Sequence, residues 1–333
     1  MTDTLTAGSE VGEFPLFERF PKLRTIPRAR LCTLPSPVEK LEGISDGAEL
    51  WIKRDDRNAP LCGGNKVRSL EFLLGGLNTG ETVVTVGGAG STHILSTALH
   101  AGRLGARTIG LRWVHEMNPV ADQVSEKIGS LMPGMPVRRS AVVALAMARY
   151  RSLAGKARYI ALGGAIPLGV LGHVNAALEL AQQVRGGAMP MPDRVVLPLG
   201  SGGTAAGLLL GFAITELPVE IVGARVGPMA FVNRWRVLGL ANRTAVMIER
   251  LTGNKLRPID PSRLRIVQNV YGGAYGRPLA ASREAANILH SATGIGLDDT
   301  YSAKAWVAAL DECRIARGPV VFWLTFDAKC LTS

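Results

Sequence analysis

The stretch Leu61-Cys62-Gly63-Gly64-Asn65-Lys66-Val67-Arg68-Ser69-Leu70-Glu71 decides how the rest of the chain is read. Two glycines and an asparagine precede a lysine, and from Val67 onward Leu70, Leu73, Leu74 and Leu77 recur at helical spacing. The pattern predicts a helix capped by Asn65, with Lys66 as its first residue. A cation is disfavoured at the positive end of a helix dipole, so the same field lowers the lysine's pKa and leaves a nucleophilic amine. Schiff-base chemistry needs such an amine. A lone lysine beside a glycine turn is ordinarily a solvated surface group, so the reading depends on the motifs that accompany it.

On the amino-terminal side, Glu49 to Arg54 reads as a short strand ended by Asp55-Asp56-Arg57-Asn58. Pro35 and Pro37 cannot donate ladder hydrogen bonds, which keeps Thr33–Val38 out of any central strand. On the other side, the β-branched run Thr82–Val86 enters Gly87-Gly88-Ala89-Gly90-Ser91-Thr92-His93. An Ala- and Leu-rich helix, Ile94–Leu104, and a further strand, Thr108–Trp113, follow. Strand, helix and strand in succession predict an α/β fold with a parallel sheet. Gly163 to Gly169 breaks the pattern before a helix over 170–184.

A second run begins with the strand Arg194–Leu199, then Gly200-Ser201-Gly202-Gly203-Thr204, then the apolar helix Ala205–Thr215. Three glycines with two hydroxyls at a strand-to-helix turn make a phosphate cradle. Gly200, Gly202 and Ala205 also fit the dinucleotide fingerprint. The acid that should hold the ribose, Glu220, precedes its strand instead of ending it, and that reading weakens. No Gly-Lys-Ser/Thr loop and no Gly-x-Ser-x-Gly elbow occurs, and no His-Glu-x-x-His spacing points to a catalytic metal. Later come the irregular loop Tyr271–Pro278, a turn at Leu297 to Ala305 entering a helix, and a strand over 319–325.

With 333 residues, 47% hydrophobic and 20% charged, the chain is expected to be globular, with room for two domains. The net charge of +11 is dispersed, without blocks and with only 5% aromatic residues, so anionic small ligands are expected rather than nucleic acid. Cys32, Cys62, Cys313 and Cys330 are widely spaced, which predicts unpaired thiols in a reducing compartment. No apolar run is long enough for a membrane span, and Asp3, Glu10, Glu13 and Glu18 are unlike a signal peptide. A cytoplasmic protein is expected.

Lysine helix, serine-bearing turn, phosphate cradle and late Tyr-Ser turn occur in an order that resembles the fold type II pyridoxal-phosphate enzymes. Within them the branch containing D-cysteine desulfhydrase and 1-aminocyclopropane-1-carboxylate deaminase is most similar, from about Phe14 to Thr325. The resemblance implies a two-domain, tryptophan-synthase-β-like α/β fold of parallel twisted sheets with helices on both faces. The large domain would be 1–66 with 173–333, and the small inserted domain 67–172. It implies pyridoxal 5'-phosphate on Lys66, the α-proton carried by the same lysine, and the phosphate on Gly200, Ser201, Gly202, Gly203 and Thr204. Asn65 and Thr92 would also contact the cofactor and Ser302 its pyridine nitrogen. Ser91, His93, Tyr301 and Tyr275 would face the substrate, and the protein would be a homodimer.

A hydroxyl at 302 implies a weaker electron sink than a carboxylate would give. That suits α,β-elimination from a small amino acid, releasing ammonia and a keto acid, more than cyclopropane opening. A deaminase, β-replacement or racemase outcome shares the first step, and a catalytically weakened cofactor-binding protein is the reading from another class. Ser91-Thr92 stands where relatives carry Ser-Asn, Ser69 where the deaminases carry a second lysine, and Ala165-Ile166 for Ser-Asn, while Leu324-Thr325-Phe326-Asp327 lacks the family's His-Thr-Gly-Gly. A less polar pocket and a specialised amino-acid substrate are expected.

Overall fold

The structure is a computed structural model and describes residues 14–331. Asp3, Glu10 and Glu13, on which the reading of the amino terminus partly rests, lie outside the described residues. The chain opens with helix α1 (Pro15–Arg19), strands β1 (Val38–Lys40) and β2 (Leu50–Arg54), and helix α2 (Asn65–Leu73). Strands β3 (Thr82–Gly88), β4 (Arg107–Trp113), β5 (Val137–Arg138) and β6 (Arg158–Tyr159) then alternate with helices α3 (Thr92–Arg103), α4 (Pro119–Leu131) and α5 (Ala141–Ala154). Helix α6 (Pro167–Arg185), β7 (Arg194–Leu199), α7 (Gly203–Thr215), β8 (Glu220–Arg225), α8 (Arg234–Thr252) and β9 (Leu264–Val267) follow. The chain ends with α9 (Ala280–Thr293), α10 (Ser302–Cys313) and β10 (Val320–Leu324).

Two sheets result. One has the order β1-β2-β10-β7-β8-β9 and the other β5-β4-β3-β6. All pairings are parallel except β1 with β2, as alternating strands and helices require. The central strands are apolar on both faces because helices cover both, and β10 is buried throughout. β1 is the antiparallel edge strand, a position that tolerates Pro37 just before it. Every residue of α7 from Gly203 to Phe212 is buried, consistent with a helix apolar all round.

A buried ionic cluster locks α2 onto the larger sheet. Lys53 of β2 donates from Nζ to Glu179 Oε1 (2.6 Å) and to Ser36 O (2.6 Å). Arg68 of α2 reaches Asp55 Oδ1 (2.7 Å) and Oδ2 (2.9 Å) and Glu179 Oε2 (3.0 Å), and Trp323 Nε1 donates to Asp55 Oδ2 (2.8 Å). Burial pushes the Glu179 carboxyl up, but Arg68 and Lys53 together more than offset it and hold the group at about 2. The folded pKa is depressed, so the contribution to stability is complete above the unfolded value near 4.5 and is lost as pH falls toward 2. Urea midpoints measured from pH 6 down to pH 3 are expected to fall, and Glu179→Gln should flatten that slope. An unchanged slope would assign the acid sensitivity elsewhere.

Cys62 and Cys330, expected to be unpaired, form a disulfide across 268 positions. Sequence spacing hid this because the chain after β10 returns to the lysine segment: Phe326 bridges Gly64, and Asp327 N donates to Gly63 O (3.2 Å). Cys32 and Cys313 are free. Among the described residues no helix is long and apolar enough to cross a membrane.

Candidate active site

Helix α2 begins one residue earlier than its sequence pattern suggests. Its N-cap is Gly64, at φ 139°, where an added Cβ would lie 2.5 Å from Thr325 O, so only glycine fits. Asn65, freed from capping, instead donates from Nδ2 to Thr204 Oγ1 (2.8 Å), tying the lysine helix to the glycine loop. Across the site, a methyl at Gly163, held at φ 64°, would fall 2.4 Å from Ser201 Oγ and 3.9 Å from Lys66 Nζ. Amine and loop therefore converge on that glycine.

Lys66 is half-buried as a residue, but its nitrogen sits deep enough that burial lowers the pKa to about 8. Desolvation is the cause. Among the described residues no hydrogen bond or ion pair engages this amine. Two other enclosed lysines differ: Lys53 is held by Glu179, and Lys304, also lowered to about 8 by burial, donates to Tyr271 O (2.9 Å).

The turn after β3 carries the next group. Ser91 caps α3, its Oγ accepting from Ile94 N (3.4 Å). Thr92 is buried in the first turn of α3. His93 is buried with Nε2 3.0 Å from Thr85 Oγ1, and burial, then the charge of Lys66, lowers its pKa to about 3, leaving it neutral. A methyl at Gly164 would fall 3.5 Å from Ser69 Cβ and 3.7 Å from His93 Cε1.

Tyr275 and Tyr301 join through their hydroxyls. A methyl at Gly200 would touch Tyr301 Cε1 at 3.7 Å, and one at Gly88 would touch Tyr275 Cε1 at 3.2 Å, so the pair spans from the end of β7 to the end of β3. Burial pushes Tyr275 up to about 12; burial and then Tyr275 push Tyr301 well above its usual value. Both phenols stay protonated at neutral pH. Asp298 fixes this wall by accepting from Tyr301 N (2.7 Å) and Ser302 N (3.0 Å). The Ser302 hydroxyl is fully buried and makes no well-formed hydrogen bond, although the Asp298 carboxyl lies close enough to feel it.

Residues the sequence reading passed over complete the site. His115, after β4, accepts at Nε2 from Gly90 N (3.1 Å), donates at Nδ1 to Glu116 O (2.7 Å) and packs edge-on against Tyr275, with ring centroids 4.7 Å apart. Asn118 Nδ2 donates to Gly276 O (2.8 Å) and Thr300 Oγ1 (2.8 Å), binding the β4 loop to the tyrosine wall. Asn118-Pro119 was a legible helix start. Nothing local marks His115. Glu220, at the amino end of β8, is engaged by Arg265 Nε (2.9 Å), far from where a ribose acid would sit.

Residues 30–325 match the family model for pyridoxal-phosphate dependent enzymes. The chain belongs to this family. It is 35% identical over 325 residues to nocardicin C-9' epimerase of Nocardia uniformis subsp. tsuyamanensis, covering 91% of this chain and 94% of that protein. It is 30% identical over 327 residues to D-cysteine desulfhydrase of Salmonella paratyphi A, covering 93% and 96%. A crystal structure of an ACC deaminase homologue superposes with a TM-score of 0.76 at 28% identity, covering 94% of each chain. The α/β architecture of parallel sheets is that of these neighbours.

The residues present fit the cofactor. An unpartnered amine of lowered pKa, a glycine loop at a helix start and a buried hydroxyl without a well-formed bond would meet its aldehyde, phosphate and ring nitrogen respectively. When bound, pyridoxal phosphate supplies an aldehyde for the amine and a conjugated ring that stabilises negative charge at an amino acid's α-carbon.

Proposed function

We propose that this enzyme removes and returns the α-proton of an amino-acid substrate, inverting that centre. The observation that carries this reading is the buried phenol pair. Lys66, with a pKa of about 8, would take a proton near neutral pH, while Tyr275 and Tyr301, joined through their hydroxyls between the ends of β3 and β7, remain acids. Inversion needs two proton-handling groups reaching one carbon from different sides. Loss of a good leaving group such as sulfide needs only the base. The 35% identity to a protein named as an epimerase supports the same outcome. Ser91, on the turn before α3, would hold the substrate carboxylate, and His93 would support Thr85 as a neutral group. Residues 67–172 would form a smaller domain able to close over the substrate, and the protein would act as a homodimer.

The second reading is α,β-elimination from a small amino acid, favoured by the desulfhydrase relatives and by the hydroxyl at 302. A panel of D- and L-amino acids in deuterated water separates the two. Loss of the α-proton signal with inversion and no keto acid is expected. Keto acid with ammonia from D-cysteine would replace the first reading with the second. No exchange from any substrate would leave a cofactor-binding protein. Tyr301→Phe is expected to slow inversion by about 10²- to 10⁴-fold while exchange on the lysine side and the cofactor's absorbance persist. Equal loss of inversion and exchange would remove the phenol from the proton path.

A further inference from the structure

We propose that His173 and Ser69 together form the side-chain half of the grip on the cofactor's phosphate, a grip made by neutral donors. His173 lies in α6 and is 2% exposed, as is Ser69 in α2. Its Nε2 is 2.8 Å from Ser69 Oγ and 3.5 Å from Thr204 Oγ1, and Thr204 accepts from Asn65 Nδ2 (2.8 Å) in the first turn of α7. Three elements thus aim polar side chains at one helix start, the end of α7 where backbone N–H groups are unpaired and an anion is favoured.

The approach is built in. A methyl at Gly207 would fall 2.3 Å from His173 Cβ, so the glycine lets α6 press the imidazole under the loop, and a methyl at Gly203 would reach its Cδ2 at 3.9 Å. Burial, then the charges of Lys66 and Arg68, keeps the ring neutral. His173 Nδ1 is buried without a partner. An orphaned buried N–H is rarer than an orphaned acceptor, so the single proton belongs on Nε2, facing Ser69 and Thr204. The imidazole then donates to the Ser69 oxygen, which turns the hydroxyl proton outward toward an anion. Arg68, the other cation on α2 besides Lys66, is spent on Asp55 and Glu179.

This inference rests on the family's cofactor and concerns only its phosphate. The test titrates apo-enzyme with pyridoxal phosphate and with pyridoxal, which lacks the phosphate, following visible absorbance. Ser69→Ala and His173→Phe should each raise the Kd for pyridoxal phosphate about ten-fold or more and change that for pyridoxal by less than about two-fold. The double variant should be little worse than either single one, because one chain of bonds is lost in each case. His173→Gln, which keeps a donor, should recover part of the affinity. Equal weakening toward both ligands, or no weakening toward either, would overturn the proposal. Ser69→Ala removes one oxygen and keeps the experiment decisive if His173→Phe does not fold. Failure of the unaltered protein to bind pyridoxal phosphate would instead contradict the cofactor assignment itself.

Discussion

Alanine in place of Lys66 is expected to lower α-proton exchange by at least about 10³-fold, because anchoring and proton transfer both depend on that amine. The cleft should stay folded, since among the described residues the Lys66 nitrogen holds no structural bond. The same amine sets a pH dependence. Burial holds its pKa at about 8, and only the neutral form attacks an aldehyde, so attachment of pyridoxal phosphate to the apo-enzyme should accelerate about ten-fold per pH unit up to that point and then level off. Stopped-flow absorbance measures it. A plateau already reached at pH 6, or a rate that falls as pH rises, would mean that another group does the chemistry.

The largest stability effect should come from Arg68. It stands two positions after Lys66 and is buried between Asp55 and Glu179. Arg68→Met leaves two carboxylates buried with Lys53 as the remaining cation, and removing one partner of a buried pair costs roughly 3–5 kcal/mol. Urea unfolding would give the loss directly. A cost under about 1 kcal/mol, the range of exposed pairs, would show that the cluster does not hold α2 in place. Because α2 carries Lys66, Asn65 and Ser69, the variant should also weaken cofactor binding, whereas breaking the exposed Arg57–Glu39 pair should not.

The parallel sheets were legible in the sequence because β3, β7, β8 and β10 are apolar runs bordered by glycines or prolines, a pattern that buried parallel strands impose. β9 was not seen. Only its first residue is buried, so it lacked the contrast that marks a strand. The lysine, the glycine loop and the late tyrosines were legible for a different reason: each sits at a turn whose residue types are unusual. Gly64 took the capping position expected of Asn65 because the close approach of Thr325, set by a strand more than 250 residues away in sequence, cannot be read locally. The disulfide was hidden for the same reason. His173 and Glu179 did leave a trace, as polar side chains among the apolar residues of α6, but a sequence cannot say whether such groups face a ligand or one another.

The central claim is that one amine among several enclosed lysines carries the cofactor. Reducing the loaded enzyme with borohydride, digesting it and mapping the pyridoxyl-labelled peptide by mass spectrometry tests this most directly. The label should lie on Lys66. A label on Lys304, whose pKa is also about 8, or on Lys53, would contradict the account.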